Sequence, residues 1–407
     1  MSDLLTKGTY TALIDIGHSK SRMVILASDF SSMRVFEEPT SGFQKGKVTN
    51  SQAFTDTIHR LVSQSSLFNS KYSAILNIPS IQTRTLVQTV HHRSNSVYRS
   101  SDYQAIINAA VDSAAGGLDE VIDAQLLQVK IDEKIIDSLA FGTEGREISA
   151  QVILATHPSL VLADILNCVN SAGVEVSEFR SNGFGLMRSL KSLRPSADNC
   201  VLIDIGHSTT TGAIMIGGAI HQIFCVPAGG AHMSKDIAAG LATDLERAEA
   251  AKISFGLQEK SSDDTAAAAR QIQRFLRPRV AEIVTLASKH FALYSRSLDG
   301  GLLFCGNASL LSGLSSFTEQ LLRTRPPFVC QLTNKGAETF VGIKNLQTSL
   351  SGENPGNAAV KVDSGWVSVL AHARSIVLHH NAMSTERQAR PLAKLHPLWT
   401  WLSELSR

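Results

Sequence analysis

Cysteine is scarce and unpaired in this chain of 407 residues: Cys168, Cys200, Cys225, Cys305 and Cys330 are widely scattered, with no Cys-x-x-Cys spacing. That spacing argues against a zinc ribbon or a redox dithiol, and because the thiols lie mostly in apolar runs they read as buried and reduced. An excess of one charge is also missing. Lys and Arg number 38 against 36 Asp and Glu, a formal net charge of +2, so no polycationic surface calls for a nucleic-acid partner. Long hydrophobic runs are absent too, and no stretch approaches the ~18 continuous apolar residues of a spanning helix. The first residues, Met1-Ser2-Asp3-Leu4-Leu5-Thr6-Lys7, lack the charged-then-apolar layout of a secretory signal, and a cytoplasmic location is expected. What remains is ordinary globular composition, 43% hydrophobic, with enough length for two or more domains and ample core.

Within that ordinary composition one phrase occurs twice, 189 residues apart: Leu13-Ile14-Asp15-Ile16-Gly17-His18-Ser19 and Leu202-Ile203-Asp204-Ile205-Gly206-His207-Ser208. Each ends an apolar run, and each is followed by a second one, Met23-Val24-Ile25-Leu26 or Ala213-Ile214-Met215-Ile216. The pattern reads as strand, tight turn, returning strand. Glycine lets the backbone approach a ligand, and the amides and hydroxyls of such a turn can face an anion. An aspartate there would repel bare phosphate but would hold a hydrated Mg²⁺ beside it. A single Asp-x-Gly turn is most simply a hairpin. Two in register suggest a duplicated fold that grips a nucleotide polyphosphate from both sides.

Between and beyond the hairpins the chain alternates helix and strand. Residues 51–66 read as a helix with Phe54, Ile58, Leu61 and Val62 on one face, and residues 73–79 as a buried strand stopped by Pro79. Residues 81–157 differ in character: a strand at 84–90, a helix capped by Ser101 and running to about 115, and strands near 126–131 and 148–154, a compact inserted module. A helix over 159–171 has Pro158 at its start and Gly173 at its stop, and another is expected over 182–193. In the second half the expected elements are a third strand at 220–226, helices near 233–242 and 243–255, a polar loop at 258–264 and a long helix over 265–293. The run Gly300 to Ser309 reads as a buried strand entering a Gly-Asn turn.

Together these pieces resemble the actin/Hsp70/sugar-kinase ATPase superfamily, and within it the FtsA family of bacterial cell-division actin homologues. The likeness rests on the two Asp-Ile-Gly hairpins and on Gly229-Gly230 followed by Ser234, Asp236-Ile237-Ala238, Gly240-Leu241 and Thr243. Ala248-Glu249-x-x-Lys252 and Gly306-Asn307-Ala308-Ser309 complete it. It implies an α/β, two-lobed actin-like ATPase fold of duplicated RNase H-like domains, with an inserted small α+β subdomain of 1C type and a C-terminal amphipathic helix. The implied boundaries are 1–80 for the first lobe, 81–157 for the insert and 158–198 for the return to that lobe and a connector. The second lobe takes 199–228, subdomain IIB 229–299 and the return to the second lobe 300–375, before a linker at 376–394 and a membrane-targeting helix at 395–407.

The resemblance further implies ATP with Mg²⁺ in a cleft between the lobes. Asp15, Gly17, His18, Ser19 and Lys20 match the first phosphate loop, with Lys20 reaching the phosphates, and Asp204, Gly206, His207, Ser208 and Thr209 match the second. Gly229 and Gly230 belong to the same nucleotide set, Glu249 and Lys252 match the ribose and adenine contacts, and Gly306, Asn307 and Ala308 the adenosine motif. Asp15 and Asp204 would hold Mg²⁺ through water. Family members commonly have glycine where this chain has His207, Ser208 and Asn307; asparagine tolerates positive φ well, whereas His207 must turn away or donate to a phosphate. With His18 it could make binding pH-sensitive near the ~6.5 imidazole reference, or both rings could simply face solvent. No residue is placed by motif to activate water, so slow or absent hydrolysis is expected.

The last residues carry the second signal. Leu398, Trp399, Trp401, Leu402 and Leu405 form one helical stripe behind Pro397, and they include two of the three tryptophans. Such a stripe can dock on the protein's own core, but tryptophan after a polar, basic tether suits anionic lipid. The resemblance implies a protein at the cytoplasmic face of the inner membrane, at the division septum. There it would form filaments and bind the FtsZ C-terminal tail through subdomain IIB and later division proteins through the insert. The alternatives are a PilM-like scaffold of a pilus or secretion machine and a small-molecule kinase of the same superfamily.

Overall fold

A computed structural model of the chain describes residues 10–27, 33–65, 73–114, 117–136, 138, 140–186, 198–258, 263–323, 329–331 and a few positions from 364 to 376. They divide into two units, one made of Met1–Phe184 and His372–Arg407 and the other of Gly185–Ala371.

In the first unit, β1 (Tyr10–Asp15) turns back through β2 (Lys20–Ala27) into β3 (Met33–Pro39), an antiparallel meander. Two short strands, β4 (Phe43–Gln44) and β5 (Lys47–Val48), lead to helix α1 (Ser51–Ser63) and then to β6 (Ser73–Ile78). β6 lies parallel to β1 and, on its other side, to β11 (Glu175–Ser181), so the sheet runs β11-β6-β1-β2-β3. Ala12, Leu13 and Ile14 are all fully buried, which is why β1 is a continuous apolar run and not an alternating one. The stripe expected on α1 is buried, and Asn50 caps the helix by accepting from the Ala53 amide at 3.0 Å. Helix α3 (Ser159–Ser171) packs beside α1. Pro158 stands at its N-cap, with an extended ψ of 123°, one position before the N1 site its fixed φ would suit.

Residues 84–158 make a sheet of their own. β7 (Arg84–Val97), helix α2 (Ser100–Ala114), β8 (Asp119–Ile131), β9 (Lys134–Ile136) and β10 (Glu144–Pro158) give the antiparallel order β7-β10-β8-β9. α2 lays Ile106, Ile107 and Ala110 onto Leu126, Val129, Ala150 and Val152. The strands far outrun their expected lengths, because their outer ends alternate weakly in hydropathy while still pairing through the backbone. Ser101 is not the cap: α2 starts a residue earlier, and Asp102 accepts from the Arg99 amide at 2.8 Å, the return bond of a capping box. The module joins β11 through a buried ion pair, Arg180 Nη1 donating to Asp123 Oδ1 at 2.9 Å, while Arg180 Nη2 meets Glu178. Nearby, His157 is 1% exposed. Burial pushes its pKa down to about 4.

The second unit repeats the first sheet strand for strand. β12 (Cys200–Ile205), β13 (Thr210–Ile216) and β14 (Ala219–Val226) form the meander. β15 (Leu302–Cys305) lies parallel to β12, and β16 (Val329–Gln331) parallel to β15, giving β14-β13-β12-β15-β16. Between β14 and β15 the described residues form the α-helices α4 (Gly230–Leu241), α5 (Leu245–Phe255) and α6 (Asp263–Phe291), the last with Pro278 inside it. Met233 and Ile237 of α4, Ala248 of α5 and Leu276, Val280 and Ile283 of α6 share one core with Val201 and Ile203. A Cβ at Gly240 would lie 2.4 Å from the Phe275 ring, so α4 and α6 meet flush at that point. A further helix, α7 (Leu314–Leu322), follows β15. Residues 182–186 are helical, and the rest of the helix expected there lies outside the described residues. Among the described residues no helix is long and apolar enough to cross a membrane.

Candidate functional site

In the first unit the β1–β2 turn carries Asp15 to Lys20. Asp15 is buried and accepts from Asn77 Nδ2 at 2.5 Å. Burial raises its pKa, against the opposing pull of the Arg22 charge and the Asn77 bond. A Cβ on Gly17 would lie 2.4 Å from the Lys20 carbonyl, so the turn closes only around glycine. His18 turns away from the strand ends. Its Nε2 accepts from the Gly46 amide at 2.9 Å and its ring lies 5.7 Å from that of Phe43, pinning the β4–β5 hairpin. Ser19 is exposed, and Lys20 forms an ion pair with Glu37 across β2 and β3.

The second unit gathers its motif residues from four separate stretches. The equivalent turn, β12–β13, holds Asp204, Gly206, His207, Ser208 and Thr209, closed by the Gly206 amide donating to the Thr209 carbonyl at 2.9 Å. Asp204 Oδ1 packs where a Cβ on Gly306 would sit, only 2.1 Å away, and Gly306 has φ +85°. Only glycine at the end of β15 leaves room for that carboxylate. Asn307 does not take up positive φ; it opens a short 3₁₀ turn, Asn307–Leu310, and its Oδ1 accepts from the Gly365 amide at 2.8 Å. A Cβ on Gly230 would meet Ala308 at 2.8 Å and Lys252 Nζ at 3.4 Å, so the glycine pair, the Gly306–Ala308 turn and α5 converge.

Lys252 is directed inward, 4% exposed, with Nζ donating to the Gly230 carbonyl at 3.2 Å, Ser234 Oγ at 3.0 Å and Glu249 Oε2 at 2.6 Å. Burial lowers its pKa and Glu249 resists that shift. For Glu249 burial acts upward, yet the bonds from Lys252 and Ser234 hold its carboxyl below the ordinary value. Its side chain stays 45% exposed.

The start of α4 seats on the turn. The Gly230 amide donates to the Gly206 carbonyl at 2.9 Å and the Ala231 amide to the His207 carbonyl at 2.7 Å. The Gly229 amide donates to His232 Nδ1 at 3.2 Å, and the His232 amide returns to the Gly229 carbonyl at 3.0 Å. The first-turn amides of the helix are thus engaged within the unit, and the donors left for an anion are those of the turn itself, with the Ser208 and Thr209 hydroxyls. The His207 ring is exposed there. Partial desolvation holds its pKa below the usual histidine value, Glu249 acting upward and Lys252, Lys235 and His232 downward. A tight glycine turn, hydroxyls, neighbouring cationic groups and one carboxylate form a donor set that fits a polyphosphate with a hydrated hard cation. Among the described residues no group of three or more His, Cys, Asp or Glu is placed to hold a metal directly.

Sequence reasoning gave no site role to His232, Ser234 or Asn77, although Ser234 belongs to the motif that carries the family resemblance. The Gly-x-x-His spacing at 229–232 is that of a capping box and could have marked the first. Asn77 was readable only as part of a buried strand. Leu398, Trp399, Trp401, Leu402 and Leu405, with the linker before them, lie outside the described residues.

Comparison with known proteins gives a consistent result. Residues 201–349 match the family model described as cell division protein FtsA. Cell division protein FtsA of Neisseria meningitidis serogroup B is 23% identical over 90% of this chain and 97% of its own length. Among solved structures, the PilM-PilN type IV pilus biogenesis complex aligns with a TM-score of 0.60 at 14% identity, over 92% of this chain and 98% of that one. The crystal structure of MreB 5 of Spiroplasma citri bound to AMPPNP aligns with a TM-score of 0.51 at 12% identity, over 93% and 99%. The chain therefore has an actin-like ATPase fold and resembles FtsA over most of its length.

Proposed function

Taking the chain as an FtsA-like protein of actin-like fold, we propose that it binds ATP with Mg²⁺, assembles into filaments and tethers the FtsZ ring to the cytoplasmic face of the inner membrane at the division septum. The observation that carries the nucleotide part is the convergence, inside the second unit, of Asp204, the Gly206–Thr209 turn, Gly229-Gly230, Glu249 and Gly306 from four stretches of chain. The turn offers amides and hydroxyls to phosphates, Asp204 holds Mg²⁺ through water, and Glu249 accepts from the ribose. Asp15, Gly17, Ser19 and the His18 backbone take the matching phosphate-loop role in the first unit, with Lys20 exchanging Glu37 for phosphate and Asp15 as the second water-mediated Mg²⁺ partner. Bound AMPPNP in the MreB 5 structure supports an adenine nucleotide for this fold.

The membrane part is supported by the Leu398, Trp399, Trp401, Leu402 and Leu405 stripe and the tether before it. One short helix binds weakly, and filament assembly multiplies the anchors. The FtsZ C-terminal tail docks on the subdomain at 229–299, and later division proteins on the module at 81–157. Co-sedimentation with anionic vesicles, with and without Mg-ATP and an FtsZ tail peptide, tests the whole reading. The full chain should pellet with vesicles, more so with Mg-ATP, and carry the peptide down. A chain lacking residues 397–407 should not.

The likeness to the PilM-PilN complex favours a second reading, an actin-fold scaffold of a pilus or secretion machine. Unchanged vesicle binding after that truncation, with no uptake of the FtsZ peptide, selects it.

A further inference from the structure

His232 has no part in the nucleotide reading, yet it holds one of its glycines. It is the third residue of α4, and its Nδ1 is the acceptor for the Gly229 amide. A glutamate or glutamine usually supplies this return bond. An imidazole can accept at Nδ1 only when neutral, with its proton on Nε2.

Gly229 has no latitude. A Cβ there would lie 2.6 Å from the Gly206 carbonyl oxygen and 2.8 Å from that of His207, so the glycine lies directly against the β12–β13 turn. The next two amides hold those same carbonyls. Charged groups face the imidazole from two helices: Lys235 and Asp236 from α4, Arg279 and Glu282 from α6. Arg279 is itself fastened to Asp236 by bonds of 2.6 and 3.2 Å. On the turn side stand His207, Lys252 and Glu249, of which His207 interacts electrostatically with His232. Desolvation comes first, then Arg279 and Lys235, in keeping the ring neutral, while Asp236 and Glu282 act the other way.

We propose that His232 is a positioning residue for the nucleotide: neutral, it fixes Gly229 and through it the β12–β13 turn, and protonated, it releases both. This rests on the ATP reading above and makes nucleotide retention acid-sensitive.

Mg-ATP binding by the full chain, measured from pH 8 to pH 5.5 for the wild type, His232→Gln and His232→Ala, tests it, together with ¹⁵N spectra of the imidazoles. His232→Gln keeps an acceptor at every pH. His232→Ala should bind about tenfold more weakly throughout, as expected for a lost cap. The wild type should match His232→Gln at pH 8 and lose affinity relative to it as the pH falls toward 5.5, in the direction of the alanine level. Both chains retain His207 and the same ligand, and the ¹⁵N spectra of His207 in the two chains register any change that loss of the His232 charge makes to its titration. Parallel pH profiles for wild type and His232→Gln overturn the proposal, as does a His232 ring protonated on Nδ1 at pH 8. If no variant binds Mg-ATP at any pH, the ATP reading fails, and the ring spectrum alone decides whether His232 accepts from Gly229.

Discussion

Asp204 and Gly306 show how single residues set the second unit's chemistry. The carboxylate occupies the space a side chain at 306 would take, and the glycine has φ +85°. Gly306→Ala therefore combines a steric clash with left-handed strain and should cost about 2–4 kcal/mol of stability. Urea denaturation of the full chain measures it, and the same substitution should weaken Mg-ATP binding by displacing Asp204. His157 gives a pH prediction. Its folded pKa of about 4 lies below the ordinary 6.5, so the unfolded chain binds the proton more readily. Its stabilising effect is complete above pH 6.5 and is lost as the pH falls toward 4, amounting to about 3 kcal/mol. Denaturation of His157→Leu at pH 7.5 and pH 4 should show a pH dependence smaller by that amount. The aspartates and glycines of the two hairpins were legible because the phrase containing them occurs twice. His157 was not, since a lone histidine before a proline carries no mark of burial, and Lys252 matched a ligand contact while its inward direction depends on Gly230, 22 positions away.

The elements were legible wherever periodicity was strong. The α1 stripe, the paired hairpins and the long α6 follow from runs of apolar residues at regular spacing. Less legible were the lengths of β7, β8 and β10 and the existence of β9 and β3, which pair through backbone groups that leave little trace in hydropathy. The tie between the inserted sheet and β11 was also hidden, because Asp123 and Arg180 are 57 residues apart. Asp123 has no exposed side-chain surface. Arg180→Leu leaves that carboxylate buried without its guanidinium and should cost about 3–5 kcal/mol, whereas Asp123→Leu with Arg180→Leu together should recover much of the loss. Denaturation midpoints of the three variants decide this, and smaller loss in the double variant than in Arg180→Leu is the expected order.

At the scale of the molecule, the two five-stranded sheets share one plan: a three-strand antiparallel meander with two parallel strands added beside its first member. The repeated phrase announced this duplication, and the strand orders bear out the fold class it implied. Where the halves differ is in what stands beside the aspartate, Asn77 in one and Cys305 in the other. Asp15→Ala and Asp204→Ala should each weaken Mg-ATP binding at least about tenfold while leaving ADP without Mg²⁺ less affected, the signature of a water-held cation. Isothermal titration with and without Mg²⁺ separates the two effects. The missing side chain at Gly240 has a mechanical corollary. Phe275 seats in that gap like a pin in a notch, so α4 cannot slide along α6 without first lifting the ring clear. Filling the notch with a methyl group would prise the two helices apart.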